Sequence, residues 1–139
     1  MSQELPSFKY PRQQAFSGLP NESFFGYCRA IKVGDRVIVS GTTALAPGGG
    51  VTPDMVGDMY GQAKEALHRI ATVLAQFDLT LDHVIRTNVY ITDASKLPDV
   101  IKAHGEAFGR VKPANTGLIG VSFLFHPDLL IEIDVEAMP

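Results

Sequence analysis

Cysteine is nearly missing from this 139-residue chain, which has only Cys28. One thiol excludes an internal disulfide and fits a reducing compartment. Surplus positive charge is missing as well. The chain has 12 Lys and Arg against 15 Asp and Glu, a net charge of −3. Its basic residues are scattered, whereas a dedicated nucleic-acid binder carries a clustered basic face, so nucleic acid is a disfavoured partner. No apolar stretch approaches the roughly 20 residues of a membrane helix. The segment Met1-Ser2-Gln3-Glu4-Leu5-Pro6 has no basic run leading into an apolar one, so no signal peptide is expected. A cytoplasmic location follows as the expectation. No linker or low-complexity tract divides the chain, so residues 1–139 are expected to form one domain. At this size folding buries roughly 68–70% of the unfolded surface.

Two site classes drop out on spacing. The glycines of Pro47-Gly48-Gly49-Gly50 lack the following Lys-Ser/Thr of a phosphate-binding loop. His68, His83 and His126 share no ligand-like spacing, so no metal is expected.

What is present is periodicity. The chain through Phe24, rich in Pro, Ser and Gln, reads as an extended arm. Tyr27 to Val33 alternates, with Tyr27, Arg29, Ile31 and Val33 on one face. Gly34-Asp35 is a turn, and Arg36 to Gly41 is a β-branched run, so the two read as a hairpin. Thr52-Pro53-Asp54 carries helix-start signals, a capping hydroxyl followed by proline and an acid. Val56, Met59, Tyr60, Ala63, Leu67, Ile70, Val73, Leu74 and Phe77 then recur at helical spacing. Val84 to Thr92 reads as a strand and Ser95 as an N-cap. A second helix is expected over Leu97 to Phe108, with Val100, Ile101, Ala103, His104 and Phe108 inward. Thr116 to Ser122 and Leu129 to Glu136 are the last strands. The order β-β-α-β-α-β-β is α+β, a mixed sheet with both helices on one face. The other face needs a cover for Ile31, Val33, Val89 and Ile133, and a second subunit is the economical one.

Several segments, in order and over about Tyr27 to Ala137, resemble the RidA/YjgF family, also labelled endoribonuclease L-PSP. They are Val37-Ile38-Val39-Ser40-Gly41, Val84 to Asp93, Glu106-Ala107-Phe108, Pro113-Ala114 and Leu130 to Asp134. The resemblance implies a chorismate-mutase-like fold, a homotrimer with a central barrel, and small-molecule clefts between subunits. It also implies hydrolysis of enamines or imines to 2-oxo acids and ammonia, without metal or cofactor. Tyr27 matches the family's tyrosine, Ser40 its serine, and Glu132 the glutamate that positions water. The family's carboxylate-binding arginine, after Pro113-Ala114, is replaced here by Asn115, followed by Thr116 and Gly117.

The replacement matters chemically. Arginine holds a carboxylate through two charge-assisted hydrogen bonds, whereas an asparagine amide is short and neutral. Arg29, on the Tyr27 face of the hairpin, is the candidate replacement anchor. Glu132 points opposite to Ile131 and Ile133 and is the candidate general base. His104 precedes a mid-helix glycine, which suggests close approach of a backbone or ligand and makes it a candidate cleft residue. Cys28 is expected to be a buried structural thiol. Three functions remain: an enamine or imine deaminase-type hydrolase, a silent trimeric small-molecule binding or regulatory protein, and an endoribonuclease.

Overall fold

In the computed structural model, residues 3–139 are described; Met1 and Ser2, where the terminal segment read above begins, lie outside them. Six strands form one sheet in the order β1-β2-β3-β6-β4-β5. They are β1 (Arg12–Ala15), β2 (Ala30–Val33), β3 (Arg36–Thr42), β4 (Val84–Ile91), β5 (Ala114–Ile119) and β6 (Ile131–Ala137). All neighbours are antiparallel except β4 and β5, so the sheet is mixed. The helices are α1 (Pro20–Phe25), α2 (Met59–Ala75) and α3 (Leu97–Phe108).

Strand alternation sorts the sheet into two faces. Val37, Val39, Thr87, Val89, Ile91, Ile131, Ile133 and Val135 point to the side covered by α2 and α3, and all are buried. Helix residues Met59, Ala63, Ile70, Leu74, Val100 and Phe108 complete that core. The expectation for Val89 and Ile133 is therefore corrected, because the helices cover both. Ile31 and Val33 lie across the sheet and are only half-buried; Ile38, paired with Ile31, is 39% exposed.

The N-terminal reading is also corrected. The expected arm contains β1 and α1. Arg-Gln-Gln-Ala has no apolar alternation to betray a strand, and β1 exists through its pairing with β2, Arg12 opposite Val33 and Ala15 opposite Ala30. Helix α1 has proline at its start and ends at Gly26, whose φ of 78° lets the chain turn sharply into Tyr27. Glu22 is buried there, accepting from the Ser17 backbone N–H at 2.9 Å and from the Ser17 hydroxyl.

The long helix starts later than its sequence signals. Pro53–Met55 form a 3-10 turn with no cap from the Thr52 side chain, and the chain breaks at Gly57. Asp58 caps α2 instead, its carboxylate accepting from the Gly61 N–H at 2.9 Å. Asp93 likewise replaces Ser95 as the cap of its turn, accepting from the Ser95 N–H at 3.0 Å. Ile101, expected inward on α3, is 63% exposed, while Val100, Ala103 and Phe108 are buried as expected.

Candidate functional site

Strand β6 alternates strictly. Ile131, Ile133 and Val135 enter the core, and Glu132, Asp134 and Glu136 are half-buried on the opposite face. Antiparallel register sets Glu132 against Tyr90 and Asp134 against Asn88. Asp134 accepts from the Asn88 amide at 2.8 Å and from the Tyr90 hydroxyl at 3.0 Å, so its carboxylate is held on both oxygens.

Glu132 reaches toward β3, where the ladder to β6 is irregular between Val39 and Thr42. Its carboxylate lies over Gly41. A Cβ at that position would overlap Glu132 Oε2 and come within 2.9 Å of Cδ, so only glycine admits the carboxylate there. Burial pushes the Glu132 carboxyl above the usual carboxylate range, the neighbouring Asp134 charge adds to this, and Arg29 opposes it. A carboxyl so raised can take up and return a proton nearer neutral pH.

Arg29 reaches the same place from β2's approach. Its Nη2 donates to the Gly41 carbonyl at 2.7 Å, and its guanidinium carbon stands 5.8 Å from the centre of the Tyr27 ring. The Arg29 Nε–H is buried without a partner among the described residues, a costly state for a charged donor. Ser40 is tied down by its backbone N–H to the Arg29 carbonyl at 3.0 Å and by its hydroxyl, which donates to the Cys28 carbonyl at 2.7 Å. With its proton engaged, the Ser40 oxygen can only accept from a ligand.

Two recesses flank these groups. One of about 380 Å³ is lined by Phe16, Glu22, Tyr27, Cys28 and Ser40 among others. The other, about 300 Å³, is lined by Phe123, Leu124, Phe125 and Glu132. Cys28 is thus half-buried at a recess wall, which corrects its reading as a buried structural thiol.

Tyr27, Arg29, Ser40 and Glu132 therefore converge within one subunit. Asn115, Thr116, Gly117 and His104 do not join them. Asn115 donates through its amide to the Thr87 hydroxyl at 2.9 Å, and Thr87 is in turn 2.8 Å from His104 Nε2. Thr87 belongs to the helix-covered face, so this chain of three lies across the sheet from Glu132. The Thr87 hydroxyl can donate to His104 Nε2 or accept from it, according to the imidazole tautomer. Burial lowers the His104 pKa, which favours the neutral ring. Thr116 shares the face of Glu132 but sits two strands away, and Gly117 pairs with Val89. Gly105 has open space where its side chain would be, so no close approach within the subunit explains it. Among the described residues no cluster of three or more His, Cys, Asp or Glu is arranged to hold a metal ion.

Sequence reasoning passed over Gly41, Asp134, Asn88 and Tyr90. Gly41 was visible inside Val-Ile-Val-Ser-Gly, but its role depends on a strand far along the chain. Asn88, Tyr90 and Asp134 each sit on a correctly read strand, and only register brings them together.

Sheet order and helix placement define an α+β protein with the YjgF-type fold. A solved Mycobacterium tuberculosis protein, described as a member of the highly conserved YjgF/YER057c/UK114 family, superposes with a TM-score of 0.81 at 36% identity, covering 93% of this chain and all of that one. Residues 21–138 match the family described as Endoribonuclease L-PSP, and the chain belongs to it. An uncharacterized protein of Streptomyces coelicolor is 39% identical over 124 residues, 87% of each chain. A RutC family protein of Pyrococcus abyssi is 32% identical over 112 residues, 80% of this chain and 84% of that one. The resemblance read from the Val37–Gly41 and Leu130–Asp134 segments is borne out, and no helix among the described residues is long and apolar enough to cross a membrane.

Proposed function

We propose that this protein hydrolyses a small enamine or imine, with Glu132 as the acid–base group and Arg29 as the anchor for an anionic substituent. The observation that carries the reading is the desolvated Glu132 carboxyl lying on Gly41 beside a guanidinium with an unpartnered, buried N–H. An enamine first takes a proton on carbon and becomes the imine. Water then adds to the C=N carbon, with Glu132 accepting its proton. Returning that proton to nitrogen gives the carbinolamine; Glu132 then carries its hydroxyl proton to nitrogen, the C–N bond breaks, and ammonia leaves behind the carbonyl, so one water is consumed per C=N bond. The Ser40 oxygen, restricted to accepting, suits the N–H of the imine. Arg29 Nε suits a carboxylate oxygen. Imines hydrolyse readily unaided, so positioning and exclusion of bulk water suffice for much of the rate.

The protein is further proposed to act as a homotrimer, with each cleft completed by a neighbouring subunit's residues. Asn115, Thr116, Gly117 and His104, remote from Glu132 within one chain, would enter the site only across such an interface. A second reading, ligand binding without turnover, is favoured by one observation: the Asn115 amide is already engaged by Thr87.

The test generates 2-imino acids in situ with an amino-acid oxidase and follows their loss against semicarbazide trapping. Wild type is expected to accelerate hydrolysis. Glu132→Ala is expected to abolish it without changing the oligomer, and Arg29→Ala to raise KM by roughly tenfold or more, in line with a charge-assisted hydrogen bond of about 1.5–3 kcal/mol. Undiminished turnover in Glu132→Ala overturns the mechanism. Binding of 2-oxo acids with no turnover of any imine establishes the second reading.

A further inference from the structure

The groups around Glu132 fall into two chemically distinct halves. The polar half is Glu132, Arg29 and Ser40. From Arg29 the guanidinium meets the Tyr27 ring at 5.8 Å. Tyr27 meets Phe25 edge-on, with centroids 6.3 Å apart and planes at 64°. Phe25 meets Phe125 edge-on at 6.1 Å and 82°. Phe125 then lines the same recess as Glu132, with Phe123 beside it. Three aromatic rings thus run, each against the next, from the guanidinium to the recess that Glu132 lines.

This aromatic arc is built against the ordinary preference for burial. Phe25, Phe123 and Phe125 are 71%, 58% and 67% exposed, while Leu124 between the last two is buried with Ala44 and Leu129. Phe125 holds a positive φ of 67°, an uncommon conformation for a bulky residue and one found where surrounding structure imposes it. Its loop is pinned on both sides: Leu124 bridges to His126, and the Leu129 N–H donates to the His126 carbonyl at 3.1 Å. The rings are therefore presented by a fixed loop that turns Leu124 inward and its two neighbours out. Exposed, contiguous apolar surface at a recess containing an acid–base group is how a site takes an apolar ligand portion.

We propose that the arc selects the side chain of the substrate, and that the ligand is a 2-imino acid, with its 2-oxo acid product, carrying an aromatic or large branched apolar group. Resting on the reading of Glu132 and Arg29 above, the carboxylate and C=N bond occupy the polar half and the side chain packs on Phe25 and Phe125. Phe25 and Phe125 are then specificity-determining residues.

Two measurements test this independently of each other. Titration calorimetry compares phenylpyruvate with pyruvate on wild type and on Phe125→Ala, with oligomeric state followed by ultracentrifugation. Wild type is expected to bind phenylpyruvate at least about tenfold more tightly, the scale on which apolar pockets discriminate, and Phe125→Ala to lose most of that ratio as the same oligomer. Equal affinity, a preference for pyruvate, or no binding of either overturns the proposal. Dissociation of Phe125→Ala into smaller species also overturns it, because the arc is then a subunit interface. The second arm compares kcat/KM for imines derived from phenylalanine, leucine and alanine. A flat profile, or one favouring the alanine-derived imine, overturns the proposal, whereas a preference for the two larger imines supports it. Failure to turn over any imine strikes the hydrolase reading alone, and the binding ratio still decides the ligand class.

Discussion

Glu132 occupies a position where a carboxylate is disfavoured. Burial and the Asp134 charge both raise its pKa in the folded chain, and Arg29 only partly offsets them. In the unfolded chain the same group titrates in the ordinary glutamate range. A group whose folded pKa is raised contributes stability that is fully present below the unfolded value and is lost as pH rises through the folded value. Ionised Glu132 therefore weakens the fold at neutral pH. Glu132→Gln keeps the shape and removes the charge, so its Tm is expected to exceed wild type at neutral pH. The gap should close as pH falls below the ordinary glutamate range. Thermal unfolding over a pH series checks this, and a wild type more stable than Glu132→Gln at pH 7 contradicts it. The same residue then explains why a destabilising group is retained: the function proposed above needs it.

Between elements, Gln62 holds the site's scaffold. It is fully buried on α2, and its side chain makes three hydrogen bonds to backbone. The amide donates to the Met55 carbonyl at 3.0 Å and the Asp128 carbonyl at 2.9 Å, and its oxygen accepts from the Leu130 N–H at 2.9 Å. This fastens the loop carrying Phe123 and Phe125, and the approach to β6, onto the helix. Gln62→Leu leaves the Asp128 carbonyl and the Leu130 N–H without partners, while the Met55 carbonyl still accepts from the Asp58 N–H at 3.1 Å, and each of the two losses costs roughly 1–3 kcal/mol. A loss of about 2 kcal/mol or more in denaturant unfolding is expected; a loss under about 1 kcal/mol would mean that water replaces the side chain without penalty. The helix itself was legible, since Met59, Ala63, Leu67, Ile70 and Leu74 recur at its period and are buried. Gln62 was not, because a lone polar residue on an apolar stripe announces a partner without naming it.

At the scale of the molecule, one sheet face is closed by helices and the other is not. The uncovered face carries Ile31, Val33 and Ile38 among Arg36, Arg86, Asp134 and Glu136, and every residue of β5 is exposed. Such an edge and face suit association with further copies of the chain. Analytical ultracentrifugation is expected to show a species of three 15.0 kDa chains. Ile38→Glu is expected to shift it toward monomer, and a wild type that sediments as monomer at micromolar concentration contradicts the homotrimer.

The sequence by itself determined the periodic elements and, through their ordered motifs, the family. Alternation in Leu130–Glu136 put Glu132 outside the core, and alternation in the hairpin put Arg29 beside Tyr27. These are short-range facts, readable because a strand's period is two residues. It did not reveal β1, whose polar residues become a strand only by pairing, nor the covering of Val89 and Ile133, which depends on which sheet face the helices take. The tertiary structure alone decided that Gly41 makes room for Glu132, that Asp134 is gripped by Asn88 and Tyr90, and that Phe25 and Phe125 meet across about a hundred residues of chain. Each of these depends on register or loop closure between distant segments. A local pattern constrains which way a side chain points; only the packed chain decides what it meets.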